Sequence, residues 1–244
     1  QTSEFSGVIK NTTGTLALTK TGAGILTLSG ENTYTGATSV IGGTIKLDGG
    51  NDRLPVGTAL VMGTGTASGI LDLNGRNQEV AGLSVSGTGD ANTVTNSNVG
   101  ATSTFTVNTP EGSSSNYASG LITGNLDLVK TGLGSLAAGA VTAVGVTVNN
   151  GSLTAGNVTA SNEFRMSGGT ATVGAMSGGA GSTGKVTVDA GQTLTVNGAM
   201  TNHSLITVSA ADSVITTTGG GALTLTGLLT GPGEVNLPIT IDGG

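Results

Sequence analysis

The stretch from Lys20 to Leu47 reads KTGAGILTLSGENTYTGATSVIGGTIKL and alternates apolar with polar residues in short bursts that stop at glycine. Period-two alternation is the pattern of a β-strand with one buried face, because successive side chains point to opposite faces. Glycine adopts positive φ without steric cost, so we expect Gly22, Gly24, Gly30 and Gly36 to be corners between strands. We expect this segment to be structural rather than a binding site.

Similar bursts recur along all 244 residues. They are rich in Val, Ile, Leu and Thr, which favour strands, and dipeptides such as G-G, N-G and T-G separate them. The bursts recur roughly every 20–25 residues, which is the range of solenoid repeats. A narrow solenoid interior also suits a chain with 45 Gly and 2 % aromatic residues better than the thicker core of a sandwich. We therefore predict an all-β fold, a parallel β-helix (β-solenoid).

A longer repeat divides this solenoid. The segment from Ser6 to Leu26 and the segment from Ser119 to Leu136 share the frame L-x-L-x-K-T-G-x-G-x-L. The copies lie too far apart to belong to one coil, so each indicates a larger unit made of several strand–turn repeats. We predict one elongated domain over residues 1–244, with internal modules at about 1–115 and 116–244.

Composition excludes several classes of function. The formal net charge is −6, which argues against nucleic-acid binding because that requires a basic surface. The chain has no Cys, which rules out disulfides and Cys-based metal sites. No apolar stretch approaches the roughly 20 residues of a transmembrane helix.

Candidate catalytic residues are few. His203 is the only histidine, and no local G-x-S-x-G pattern accompanies it, so we expect a surface loop residue. Asp48 and Asp52 lie close together beside Arg53, which indicates a surface turn, although paired carboxylates are also what a glycosidase needs. We expect Asp72 to point outward from a strand.

Other polar and apolar residues are assigned structural roles. Asp127 occupies an alternating strand position and is expected to point outward, while Asp90 begins a single D-x-N and not a tandem calcium repeat. Tyr34 is expected to pack over a corner, and Tyr117 lies in the most loop-like segment, EGSSSNYASG, our first candidate for a protrusion. Three methionines are expected to fill the core: Met166, Met176 and Met200. We predict no catalytic, cofactor-binding or metal-binding residues, and no enzyme activity.

The stretch quoted above resembles the passenger-associated repeat of bacterial autotransporters. That pattern runs K-T-G-x-G-x-L-x-L-x-G, then N-x-Y-x-G-x-T, then a short strand and G-T-L. The matching positions here are Lys20, Thr21, Gly22, Gly24, Leu26, Leu28, Gly30, Asn32, Tyr34, Gly36, Thr38, Gly43 and Thr44. The second copy keeps Lys130, Thr131, Gly132, Gly134 and Leu136 but lacks N-x-Y-x-G.

The resemblance implies a right-handed parallel β-helix that is secreted across the outer membrane and lies at the bacterial cell surface or outside the cell. The C-terminal outer-membrane barrel expected in the family is absent from this chain, so we expect part of a passenger or a secreted relative. We expect adhesion or extracellular scaffolding, with a host or matrix protein or a glycan as partner, or self-association with neighbouring copies. No cofactor is expected.

Three alternatives remain open. Low charge and the open sheet edges of a solenoid favour a self-assembling filament or biofilm-matrix subunit. A polysaccharide-degrading β-helix enzyme with Asp48 or Asp52 at its site is a more distant alternative. Ice binding through Thr-x-Thr ladders is the most distant, because the Thr spacing along the sequence is irregular.

Overall fold

The computed structural model describes residues 1–181 and 183–241 of the chain. Its elements in these ranges are strands. They are β1 Thr2–Phe5, β2 Leu18–Lys20, β3 Ile25–Leu28, β4 Thr38–Val40, β5 Gly43–Leu47, β6 Ala59–Met62, β7 Gly69–Asp72, β8 Gln78–Val80, β9 Gly82–Val85, β10 Thr93–Asn96, β11 Ser103–Asn108, β12 Ser114–Tyr117, β13 Leu121–Gly124, β14 Leu126–Thr131, β15 Ser135–Ala138, β16 Val141–Val148, β17 Ser152–Ala155, β18 Val158–Met166, β19 Thr170–Val173, β20 Met176–Ser177, β21 Gly184–Val188, β22 Thr193–Val196, β23 Met200–Val208, β24 Val214–Thr216, β25 Leu223–Thr230, β26 Glu234–Asn236 and β27 Ile239–Ile241.

The strands pair in parallel and form the faces of a β-solenoid of about 11 turns, here called coils. The first face follows the order β1-β3-β5-β7-β10-β13-β16-β18-β20-β23-β25-β27. Coil 1 contains β1 and β2, coil 2 contains β3 and β4, and coil 3 contains β5 and β6. The chain therefore climbs the axis one coil at a time, and the predicted parallel β-solenoid is confirmed. The right-handed sense remains a prediction.

The second face follows the first within each coil. The strands β8, β11, β14 and β21 lie there, and they join the same sheet as the first face. One long strand covers both faces in several later coils: β16 pairs with β13 through its start and with β14 through its end. In coils 2 and 3 the second face is formed by loops instead of strands, at residues 30–37 and 48–58.

The third face is built from two sheets. The strands β2-β4-β6-β9 form the first of them, and β12-β15-β17-β19-β22-β24-β26 form the second. Where they meet, the backbone N–H of Leu83 in β9 donates to Oγ of Ser115 in β12, at 3.1 Å. A side chain thus replaces the ladder bond at the one interruption between these two sheets.

The core is a set of aliphatic columns. Parallel register places side chains of the same kind directly above one another, so one column passes up the first face through many coils. Its members are Leu26, Ile45, Leu71, Val94, Ile122, Val141, Val158, Met176, Met200 and Leu223. Burying each such side chain contributes about 1.5–3 kcal/mol. Met166, Met176 and Met200 are buried, which confirms their predicted core positions.

Three of the four glycines that were predicted to be corners are required for a different reason. Gly22 has φ of 69°, as expected of a corner, whereas Gly24, Gly30 and Gly36 lie outside the left-handed region. Instead, these three lie against the backbone of the preceding coil. A Cβ on Gly30 would be 1.9 Å from the carbonyl oxygen of Gly7. Close stacking, not corner geometry, therefore excludes a side chain at these positions.

The two modules inferred from the long sequence repeat are joined by continuous sheets. β10 pairs with β13 and β12 pairs with β15 across the inferred boundary at residues 115 and 116. The division remains a hypothesis about the sequence repeat.

Candidate functional site

The K-T-G corner of the motif links neighbouring coils. Lys20 Nζ donates to the carbonyl oxygens of Thr21 at 2.8 Å and Gly22 at 2.7 Å in its own corner. It also donates to Gly42 O, at 3.0 Å, in the corner of the next coil. Charge-assisted hydrogen bonds of this kind are stronger than neutral ones. The lysine therefore joins two corners, a role that sequence reasoning did not assign to it.

The second copy of the frame repeats this arrangement. Lys130 Nζ donates to Gly132 O at 2.8 Å, to Asn150 O of the next coil at 3.4 Å, and to Thr131 O. The Lys130 side chain is fully buried, and the loss of hydration lowers its pKa to about 8. Two copies with one geometry indicate that K-T-G is a structural clip between coils.

The N-x-Y-x-G part of the motif forms the second-face loop of coil 2. Asn32 Oδ1 accepts the backbone N–H of Ile9 at 2.7 Å, and its Nδ2 donates to Arg53 O at 2.7 Å. This buried amide thus bridges the coil before it and the coil after it. Because the side chain satisfies backbone groups that have no strand partners, the loop keeps a defined shape.

Tyr34 belongs to the same loop and is a buried packing residue, as predicted. Its ring is 1 % exposed, and burial raises the pKa of its hydroxyl to about 12. The hydroxyl forms a hydrogen bond with Thr38 Oγ1, which in turn lies 2.9 Å from Thr58 Oγ1 in the next coil. The tyrosine therefore supports the loop from below and presents no ring face to solvent.

A concave surface lies between the second-face loops of coils 2 and 3, and we call it the loop groove. Its volume is about 420 Å³. Val56 contributes an exposed apolar side chain, 48 % accessible. The lining residues are Glu31, Asn32, Thr33, Tyr34, Thr35, Asp52, Pro55, Val56 and Gly57.

A second depression continues from the loop groove through Asp52, and we call it the acidic cleft. It has a volume of about 220 Å³ and is lined by Asp52, Asn77, Gln78, Glu79, Thr104 and Thr106. Asp52 Oδ1 accepts the backbone N–H of Glu79 at 2.9 Å, and Glu79 Oε1 accepts from Asn108 Nδ2 at 2.9 Å. Each carboxylate is thus held in place and retains further acceptor capacity.

Two cationic side chains near this surface, those of Arg53 and Arg76, are held in place by hydrogen bonds. Arg53 donates from its guanidinium to the carbonyl oxygens of Ser29 and Asn51. Arg76 forms a 2.8 Å ion pair with Asp48, and this hydrogen bond holds the Asp48 pKa below its usual value. Asp48 and Asp52 therefore point to different partners: Asp48 forms the expected surface turn, while Asp52 lines both depressions.

The outward orientation predicted for two further acids holds for both strands. Asp72 lies in register with Lys46 and Thr95 on the outer side of β7. It is only 7 % exposed, because its carboxylate accepts from the backbone N–H groups of Asn74 and Ser97 and from Ser97 Oγ. It closes a turn between coils rather than facing solvent. Asp127 lies on the outer side of β14, half-buried, and burial raises its carboxyl pKa.

Two predictions about exposure were wrong. Tyr117 is not in a protruding loop: it is fully buried in β12, where its ring lies directly below Gly120. The polar run around it conceals a strand whose alternate residues face inward. His203 is fully buried in β23, beside a register shift, and burial lowers its pKa to about 4.

The described part of the chain, residues 1–181 and 183–241, offers no clustered metal ligands. It has no group of three or more His, Asp or Glu side chains arranged to hold a metal ion. Nor do these residues contain a helix with the length and hydrophobicity needed to span a membrane.

Sequence reasoning missed the loop groove, although one signal for it was present. The segment N-x-Y-x-G interrupts the period-two alternation between β3 and β4. Such an interruption replaces a strand of one face by a loop. A depression forms where the neighbouring coil also has a loop at that face. The residues after Asp52 carry no comparable pattern, so the acidic cleft had no sequence signal.

Comparison with known proteins gives one match. Residues 18–47 match the family described as passenger-associated-transport-repeat, a family that points to secretion or surface exposure. No curated protein and no solved structure gives a significant match. The matched residues are the ones that form the K-T-G clip, the N-x-Y-x-G loop and the strands between them. A passenger-associated transport repeat within a parallel β-solenoid is the combination expected of an autotransporter passenger domain, and this chain has both.

Proposed function

We propose that the chain is a non-catalytic passenger segment that serves adhesion or extracellular scaffolding at the bacterial surface. The observation that supports this most is the continuous stack of about 11 coils that includes the passenger repeat. Strands of neighbouring coils lie about 4.8 Å apart, so such a stack is a rod roughly 50 Å long. A stiff rod can hold recognition surfaces away from the membrane.

The outer faces of the solenoid carry polar side chains that can make many weak contacts with a partner. On the third face, Ser152, Thr170 and Thr193 lie in register on successive coils and face outward. This local order differs from the irregular Thr spacing of the sequence. The same column includes Ser114 and Ser135 in the two coils before Ser152, and it ends in Val214 and Glu234 in the two coils after Thr193. A mixed polar surface of this kind supports contact with proteins or glycans through distributed hydrogen bonds.

The loop groove and the acidic cleft are the recognition surface that we assign to this rod. They are concave, they combine apolar with polar groups, and they lie where the strand pattern is interrupted. Binding surfaces are commonly carried by loops on a rigid scaffold. The partner that we propose is a host or matrix protein or a glycan.

Adhesion of cells that display the chain tests this function. Non-adherent bacteria would display the chain through a surface anchor, and matched cells would display an unrelated β-solenoid of similar length. We expect the first cells alone to attach to matrix-coated surfaces or to one another. Equal attachment of both strains would contradict adhesion. Growth in particle size of the purified chain with concentration would instead support the filament alternative, and soluble products released from polysaccharides would support the enzymatic one.

A further inference from the structure

We propose that the loop groove and the acidic cleft together bind an extended cationic peptide segment of a partner protein, through its Lys or Arg side chains. This rests on the proposed adhesive function and names the chemical class of the partner. The surface runs along the rod axis from Glu31 in coil 2, through Asp52 in coil 3, to Glu79 and Thr104 in the two coils after it.

The lining of this surface is acidic. Three carboxylates, those of Glu31, Asp52 and Glu79, line this surface. The ion pairs among residues 1–181 and 183–241 are Arg76 with Asp48 and Arg165 with Asp189, so none of the three carboxylates is neutralised by one. The lining thus holds three carboxylates and no Lys or Arg, in a chain whose net charge is also −6. A cationic ligand complements it, and long-range attraction favours the encounter.

The loop groove also has an apolar part. Val56 is 48 % exposed and lies beside Pro55 in the lining. Lys and Arg side chains lay their methylene stems on apolar surface while their charged ends stay in water or meet a carboxylate. A stem placed over Val56 would put its charged end toward Asp52, which borders both depressions. This combination favours a long cationic side chain over a small inorganic cation.

The position of the aromatic residue favours a peptide over a sugar. Sugar-binding surfaces commonly offer an exposed aromatic face, and Tyr34 is the aromatic residue of the groove. Its ring is 1 % exposed and its hydroxyl is bonded to Thr38, so it offers no stacking platform. An amino-sugar polymer, which is also cationic, is the competing ligand that the test must separate.

The test is a binding titration with defined probes. The purified chain would be titrated into a fluorescent ten-residue peptide of alternating Lys and Ser, and fluorescence anisotropy would be followed. A peptide with Glu in place of Lys and a labelled glucosamine oligomer are the comparison probes. We expect the Lys peptide to bind and the Glu peptide not to bind. Binding should weaken severalfold as ionic strength rises toward about 0.5 M, because exposed ion pairs are screened by salt.

Matched variants locate the site. Asp52→Asn and Glu79→Gln each keep the acceptor oxygen that the fold uses and remove only the charge. We expect each variant to bind the Lys peptide with about fivefold lower affinity. This is the effect of losing an exposed ion pair of about 1 kcal/mol. Asp90→Asn removes one exposed acid outside the surface and should change affinity by less than about twofold. Equal urea midpoints would show that all three variants fold.

Two outcomes of the titration would overturn the proposal, and a third would come from the adhesion assay. One is an equal loss of affinity in Asp90→Asn and in the two cleft variants. The Lys peptide would then be attracted by the overall negative charge of the chain and not by a local site. The other is binding of the glucosamine oligomer without binding of the Lys peptide. If cells that display Asp52→Asn and Glu79→Gln together still adhere fully, the peptide site fails while the adhesive function stands. If cells displaying the unchanged chain do not adhere, the proposed function itself fails.

Discussion

At the scale of single residues, the repeat motif depends on two different properties of glycine. Gly22 needs positive φ, with nothing within 4 Å of the position that a Cβ would take. Gly30 has ordinary φ but lies against the backbone of the coil below, with Gly7 O 1.9 Å from that position. The glycines of the motif are therefore required for close stacking of coils as well as for turn conformation.

The variants Gly30→Ala and Gly22→Ala separate these two properties. Gly30→Ala should lower the free energy of unfolding by about 3 kcal/mol, because one coil must move away from the next. Gly22→Ala should cost only about 1 kcal/mol, since its strain is confined to a single φ. Urea unfolding followed by circular dichroism measures both. Equal losses in the two variants would contradict close stacking at Gly30.

At the scale of the strand, β23 contains a buried titratable group. His203 is fully buried there, and burial lowers its pKa from 6.5 to about 4. Between these pH values the unfolded chain binds a proton that the folded chain does not. The contribution of His203 to stability is therefore complete above pH 6.5 and is lost as the pH falls toward 4.

Unfolding measured at several pH values checks this dependence. The free energy of unfolding should fall by up to about 3 kcal/mol between pH 6.5 and pH 4 because of this residue. Glutamine does not titrate, so in His203→Gln the free energy of unfolding should fall by about 3 kcal/mol less over the same pH range. This difference in pH dependence is independent of the stability of the variant at neutral pH. Parallel pH profiles for the two proteins would show that His203 is not the group responsible.

The strands were predictable where the alternation contained large apolar residues. The bursts around Leu26 and Leu71 predicted buried columns because Leu and polar residues alternate clearly there. Tyr117 was misplaced because its strand, SSNY, begins with three small polar residues, and those that face inward do not differ in polarity from those that face outward. His203 was misplaced because burial depends on the neighbouring coils, which local sequence does not describe.

At the scale of the whole molecule, the stacking of coils determines which strands pair and where depressions form, and neither could be predicted from the sequence. Coils differ in length, since Thr93 pairs with Leu121 but Leu223 pairs with Ile239, so no fixed period assigns each burst to its neighbour. The loop groove and the acidic cleft arise from that stacking, because their residues come from loops and strands of successive coils. Only the interruption at N-x-Y-x-G was visible in the sequence.

Consecutive segments stack in register as coils of one continuous solenoid, including across the inferred module boundary. Ser114 and Ser135 test this stacking, because they are register partners on either side of that boundary and their Oγ atoms lie 3.1 Å apart. The chain has no Cys of its own, so introduced thiols are the only ones present. Ser152, the register partner of Ser135 in the next coil, provides the control.

The measurement is the fraction of disulfide formed under mild oxidation, read by mass spectrometry. Ser114→Cys with Ser135→Cys should cross-link almost completely, since neighbouring strands lie about 4.8 Å apart and a disulfide spans Cα separations up to about 6.8 Å. Ser114→Cys with Ser152→Cys, about 9.6 Å apart over two coils, should remain reduced. Cross-linking of the two-coil pair as readily as the one-coil pair, or of neither pair, would contradict the continuous in-register solenoid.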